Sequence, residues 1–191
     1  METFYTSDRA AWRQYLAEHF ETAEEVWFVF PTKEADEDSL SYNDAVEEAL
    51  CFGWIDSTNR RLDERHCIRR FSPRKQGSAY SRPNIERLIW LDAQGLIHPK
   101  IRDSVRPVIE APFVFPADIL DALRQDETVW ENYQNFSEPY RRIRIAYNDH
   151  RMAKSIDDSI DFAAKRQVWQ RMILIIIRAM LIIITSIKMD C

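Results

Sequence analysis

Glycine is scarce in this chain: 191 residues contain only Gly53, Gly77 and Gly95. A phosphate-cradling loop and a dinucleotide-binding turn each need clustered glycines, so neither is available. Cysteine is also sparse. Cys51, Cys67 and Cys191 are an odd, widely spaced set with no Cys-x-x-Cys pair, which argues against a disulfide framework, a zinc ribbon and a thioredoxin-type motif. No basic segment followed by an apolar stretch opens the chain, so a secretory signal is not expected and reducing cytosol is the expected compartment. No Gly-x-Ser-x-Gly elbow surrounds any serine. No cofactor is implied.

What is present is an ordinary globular composition with a polarised charge distribution. The chain is 46% hydrophobic and 30% charged, with a net charge of −5. A chain of this length buries a sizeable core without disulfides. Residues 1–51 hold thirteen acids against three Arg or Lys, whereas residues 60–87 hold nine Arg or Lys against three acids. Overall acidity argues against general nucleic-acid binding, but the basic segment can still hold a local anion site. Arg9, inside the acidic stretch, is expected to be a bystander to any such site.

Hydrophobic spacing predicts a helix over residues 7–20 with Trp12, Tyr15 and Leu16 on one side. Val26–Phe30 is a continuous apolar run ending at Pro31, suited to a strand buried on both faces. Ser41 and Asp44 form a capping-box pattern before a helix reaching Cys51, with Tyr42, Ala45, Val46, Ala49 and Leu50 on its apolar face. Glu47 and Glu48 lie off that face and read as solvated charge. Gly53 suits a sharp exit into a strand Trp54–Asn59, whose partner is His66–Ser72. Alternation places Trp54, Asp56 and Thr58 on one face. Helices are expected from Ser81 to Gly95 and over residues 100–109, 116–125, 127–135 and 138–149.

The fold class is therefore α+β: a small, mainly antiparallel sheet packed with helices, followed by a helical subdomain. The Pro112–Pro116 stretch reads as an extended linker. It separates an α+β domain, residues 1–111, from a helical part, residues 116–191. Met172–Ile187 carries eight isoleucines around Arg178. It is shorter than the roughly 20 residues that span a bilayer, and a central arginine opposes insertion by about 2.5–3.5 kcal/mol. It is read as a buried helix or helix-pairing surface, with membrane association or an aberrant tail as alternatives.

The densest set of chemically capable residues runs from position 54 to position 84. Arg69, Arg70, Arg74 and Lys75 concentrate positive charge around Phe71, and Ser72, Ser78, Ser81 and Asn84 follow. Guanidinium groups bind carboxylate and phosphate bidentately, and a helix starting near Ser81 adds N–H donors. The candidate anion-binding residues are Trp54, Asp56, Arg70, Arg74, Lys75, Ser81 and Asn84, with Trp54 and Tyr80 as an apolar wall. The bland alternative pairs Asp56 with an arginine across the hairpin and puts Trp54 in the core. His19, His66, His98 and His150 are isolated, so no metal site is expected. His66 and Cys67 point to opposite strand faces, which defeats a Cys–His nucleophile pair. Cys51 reads as an inert core thiol.

These residues also carry a resemblance. Tyr42, Ala45, Glu48, Ala49, Leu50, Cys51, Phe52, Gly53, Trp54, Ile55, Asp56 and Ser57, then Phe71–Arg74, then Ser78, Ser81 and Asn84, resemble the motifs of the bacteriocin-protection (YdeI/OmpD-associated) family. Tyr80 stands where that family has tryptophan, and the likeness covers most of residues 8–95. It implies protection against bacteriocins or cationic antimicrobial peptides and an association with an outer-membrane porin. Together with the basic cluster, the resemblance gives the expectation of a non-catalytic stress-resistance or binding protein that holds a small anionic ligand or a protein partner. It supplies no reaction. The competing expectation is an enzyme with Asp56 as base and Arg74 as electrostatic stabiliser.

Overall fold

The computed structural model describes residues 1–156, with side chains as far as Tyr147. The isoleucine-rich stretch and Cys191 lie outside these described positions, and His150 lies beyond the described side chains. The chain divides into two compact units at the junction of Ala111 and Pro112.

The first unit is built on four strands: β1 (Thr3–Phe4), β2 (Val26–Pro31), β3 (Trp54–Arg61) and β4 (His66–Pro73). Their spatial order is β1-β2-β4-β3. The β2–β4 and β4–β3 pairs are antiparallel, and the short β1 pairs parallel to β2. The α+β class with a mainly antiparallel sheet is thus what the chain adopts. The two-residue β1 is an addition that the sequence pattern does not announce.

Helices α1 (Arg9–His19) and α2 (Tyr42–Cys51) supply apolar side chains to one core with the sheet. Trp12 meets Phe28 and Phe71 edge-on, with ring centroids 5.0 and 5.5 Å away. Its indole N–H donates to the Ala45 carbonyl at 3.0 Å, tying α1 to α2. Ser41 caps the start of α2: its Oγ accepts from the Asp44 N–H, and its hydroxyl donates to the Asp44 carboxylate. At the other end Gly53 has φ +72°, a left-handed conformation that turns the chain into β3. A Cβ there would sit 3.0 Å from Ile101 Cδ1, so glycine serves both the turn and the close approach.

Helices α3 (Arg82–Ala93) and α4 (Pro99–Ile109) extend this unit. Leu88, Leu91 and Val105 join the core. The second unit contains α5 (Ala117–Arg124), α6 (Glu127–Gln134) and α7 (Glu138–Ile156). Ile119, Leu123, Val129, Tyr133 and Ile145 form its own core.

Two expectations are corrected here. Glu48 is not solvated: it is 3% exposed and binds Arg9 and Arg13, each at 2.6 Å. Arg9 also reaches Asp44 and Glu47, so this guanidinium joins three carboxylates across α1 and α2. The second correction concerns β3. Asp56 faces Phe71 in β4, but Asn59, not Thr58, faces Arg69. One extra residue bulges out of β3 between them and breaks the alternation that would have carried Thr58 onto the Trp54–Asp56 face.

Candidate functional site

The sequence-derived candidates separate into four places. Trp54 is in the core, 1% exposed, and its indole N–H donates to the Phe20 carbonyl at 3.1 Å. Arg70 is adjacent to Arg69 on β4 and therefore points to the other sheet face, where it pairs with Glu25 and donates to Ser72 Oγ. Its hydrogen bond holds the Glu25 carboxyl below the ordinary range, with further help from the Trp27 N–H.

Arg74 organises the loop that leads to α3. Its guanidinium lies 3.7 Å from the Tyr80 ring centre and donates to the carbonyls of Ser78 and Ala79. Its backbone N–H donates to the Gly53 carbonyl at 2.9 Å. Lys75 is exposed, and its carbonyl accepts from the Ser78 N–H and hydroxyl. Ser81 occupies the N-cap of α3 without a side-chain capping bond. Arg74 thus pairs with the chain at Gly53, three strand positions before Asp56, or about 10 Å at ordinary strand rise.

Asp56 and Asn84 belong to the fourth place, a partly exposed polar face where β3, β4 and the N-terminal turns of α2 and α3 meet. Asp56 Oδ2 accepts from the Tyr42 hydroxyl at 2.9 Å and from Arg69 at 2.7 Å. Arg69 also lies over the Tyr42 ring, 4.5 Å from its centre. Beside this trio, Arg87 on α3 donates to Asn84 Oδ1 at 3.0 Å and to Asn43 Oδ1 at 2.8 Å.

Tyr42, Asn43, Arg69 and Arg87 complete this face. Helical spacing could have found Arg87: Ser81, Asn84 and Arg87 recur at three-residue intervals. Nothing local identifies Asn43, which is contacted from 44 residues away. Tyr42 was assigned to the apolar helix face, yet it is 42% exposed and carries its hydroxyl to Asp56.

The electrostatics are asymmetric. Arg69 is matched by Asp56. Both bonds that hold Arg87 end on neutral amide oxygens, and among the described residues no carboxylate reaches ion-pair distance of it. Burial raises the Tyr42 phenol above its ordinary 10.0, and the hydrogen bond to Asp56 adds to this, against the opposing charges of Arg69 and Arg87. Tyr42 therefore stays protonated at neutral pH and acts as a donor.

This arrangement can orient a cation toward an incoming anion. It does not place Asp56 as a free base: that carboxylate is engaged by Arg69 and Tyr42, and Arg74 is turned to loop carbonyls. A recess of about 80 Å³ lined by Asp92, Arg102, Arg106, Ile109 and Glu110 lies elsewhere. Its arginines already pair with Asp92 and Asp103. Among the described residues no group of three or more His, Cys, Asp or Glu side chains is placed to hold a metal. No described helix is long and apolar enough to cross a membrane.

The fold and this face define an α+β domain with an amide-held arginine at the junction of two helix starts. The chain belongs to the family described as a domain of unknown function (DUF8412), which matches residues 4–104, a little over half of its length. That match begins within β1 and spans β2 to β4 and α1 to α3 complete. No curated protein and no solved structure matches the chain.

Proposed function

We propose that this is a non-catalytic binding domain of the bacteriocin-protection type, acting in stress resistance in the cytoplasm, that holds an anionic group of a small ligand or partner on Arg87. The observation that carries this reading is the Arg87 guanidinium, fixed by Asn43 and Asn84 with no carboxylate among the described residues to neutralise it. Holding a guanidinium in place before binding reduces the side-chain entropy lost when the ligand arrives. Neutral amide acceptors orient the fork without cancelling its charge, so carboxylate or phosphate oxygens can still be recognised.

The motif resemblance supports the same reading, because Tyr42, Asp56, Ser81 and Asn84 are among the residues that carry it. The enzyme alternative gains no support from the geometry of Asp56 and Arg74.

The test is a thermal-shift titration of the full chain with acetate and with phosphate, at fixed ionic strength to remove general screening. An anion at 100 times its dissociation constant adds about 2.7 kcal/mol by mass action. Arg87→Gln should abolish that response while the protein remains folded. An unchanged anion response in Arg87→Gln would refute the assignment.

A further inference from the structure

Asp56 uses only one of its two oxygens within the chain. Tyr42 and Arg69 both donate to Oδ2, and Oδ1 accepts no hydrogen bond from the described residues. The side chain keeps 13% of its surface open. The Tyr42 hydroxyl donates to Asp56, and the amide oxygen of the next residue, Asn43, accepts from Arg87. Consecutive residues at the start of α2 therefore hold a half-used carboxylate and a cation with no carboxylate partner among the described residues.

A plain anion leaves Oδ1 facing negative charge, and a dianionic phosphate does so most. A carboxylate with an adjacent ammonium group satisfies both ends: its oxygens take the Arg87 N–H groups, and its N–H groups donate to Asp56 Oδ1. Charge-assisted hydrogen bonds of both kinds are the stronger ones, and a site built for two complementary groups rejects analogues that leave one unpaired.

Resting on the reading of Arg87 as an anion anchor, we propose that this face recognises a zwitterionic α-amino acid, with the carboxylate on Arg87 and the ammonium on Asp56. The pairing is non-covalent and no bond is made or broken.

The experiment compares L-alanine, propionate, ethylamine and inorganic phosphate by NMR titration of the full chain at constant ionic strength. Propionate is alanine without its ammonium, and ethylamine is alanine without its carboxylate. Alanine should perturb amides around Tyr42, Asp56 and Arg87 saturably. Propionate should bind at least tenfold more weakly, and ethylamine should not saturate. Arg87→Gln should abolish binding of alanine and propionate, whereas Asp56→Asn should weaken alanine alone. The wild-type comparison of alanine with propionate decides the matter even if Asp56→Asn fails to fold. Propionate or phosphate binding as tightly as alanine would overturn the zwitterion proposal and leave the anion reading standing. Absence of binding by alanine, propionate and phosphate would overturn both.

Discussion

Arg87 and Asn43 are 44 residues apart in sequence and 2.8 Å apart in space, so the start of α2 fixes the direction of a charge on α3. Asn43→Asp should convert this neutral contact into an ion pair. Exposed pairs of this kind contribute about 0–1 kcal/mol, and a carboxylate in the first turn of α2 also suits the helix dipole. The variant should therefore melt at the same temperature or slightly higher. Its anion response should nevertheless fall sharply, because Arg87 would be neutralised from within. A melting curve and an acetate titration on one sample check both halves. Full anion binding by Asn43→Asp would detach the Arg87–Asn43 contact from function.

Glu48 leads to a prediction about stability. Its carboxylate is 4% exposed and accepts from Arg9 and Arg13, whose side chains are 36% and 35% exposed. Breaking a wholly buried pair costs about 3–5 kcal/mol. Here the arginines can regain water, so Glu48→Ala should cost roughly 2–3 kcal/mol by the same reasoning. Arg9→Ala should also lower the midpoint of urea denaturation, since it removes one partner from Asp44, Glu47 and Glu48 together. A midpoint unchanged in both variants would make this cluster ornamental.

Glu48 also shows where sequence reading stops. The helix start capped by Ser41, the apolar spacing of Trp12, Tyr15 and Leu16, and the turn at Gly53 are local patterns, and all three appear in the structure. Glu48 looks solvated because its neighbours in sequence do not include its partners; Arg9 lies 39 residues away. The same limit hides the β3 bulge, which depends on the register with β4. For the site, Asp56 and Asn84 were legible as polar residues beside a basic segment. Trp54 carries the same motif but fills the core, because a strand's inward positions take aromatic side chains for packing as readily as for ligands.

The cysteines should react unequally. Cys51 is buried, and that burial pushes its thiol up to about 11, with the nearby Glu48 charge adding to the effect. Thiolate, not thiol, is the reactive species. Cys67 is only partly buried, and both are free thiols. Peptide mapping after brief maleimide treatment of native protein should find Cys67 modified and Cys51 unmodified. Denaturation without reductant should expose both. Rapid native labelling of Cys51 would contradict its packing.

The last prediction concerns pH and the acidic loop that follows β2. His66 opens β4 and faces two carboxylates: Asp63 in the hairpin turn, 2.9 Å from Nδ1, and Glu37 in the loop, 3.3 Å from Nε2. Arg65 reaches the same loop by donating to the Ala35 carbonyl and lying 3.9 Å from Glu37. Hydrogen bonding to Asp63 first, and then to Glu37, raises His66 above its ordinary 6.5. Protonation is therefore more favourable in the folded chain than in the unfolded chain. By linkage, the stabilisation is fully present below the unfolded value near 6.5 and is lost as pH rises through the higher folded value. Deprotonation should loosen the contact with Glu37, while Arg65 keeps the loop near the hairpin. An NMR titration of the imidazole should give a midpoint above 6.5 in the native protein, with amides near Glu37 shifting at the same midpoint. Asp63→Asn should lower the midpoint more than Glu37→Gln, following the order of the two contributions. A native midpoint at or below 6.5 would remove the charged clasp, and a larger effect of Glu37→Gln would reverse the roles of its two carboxylates.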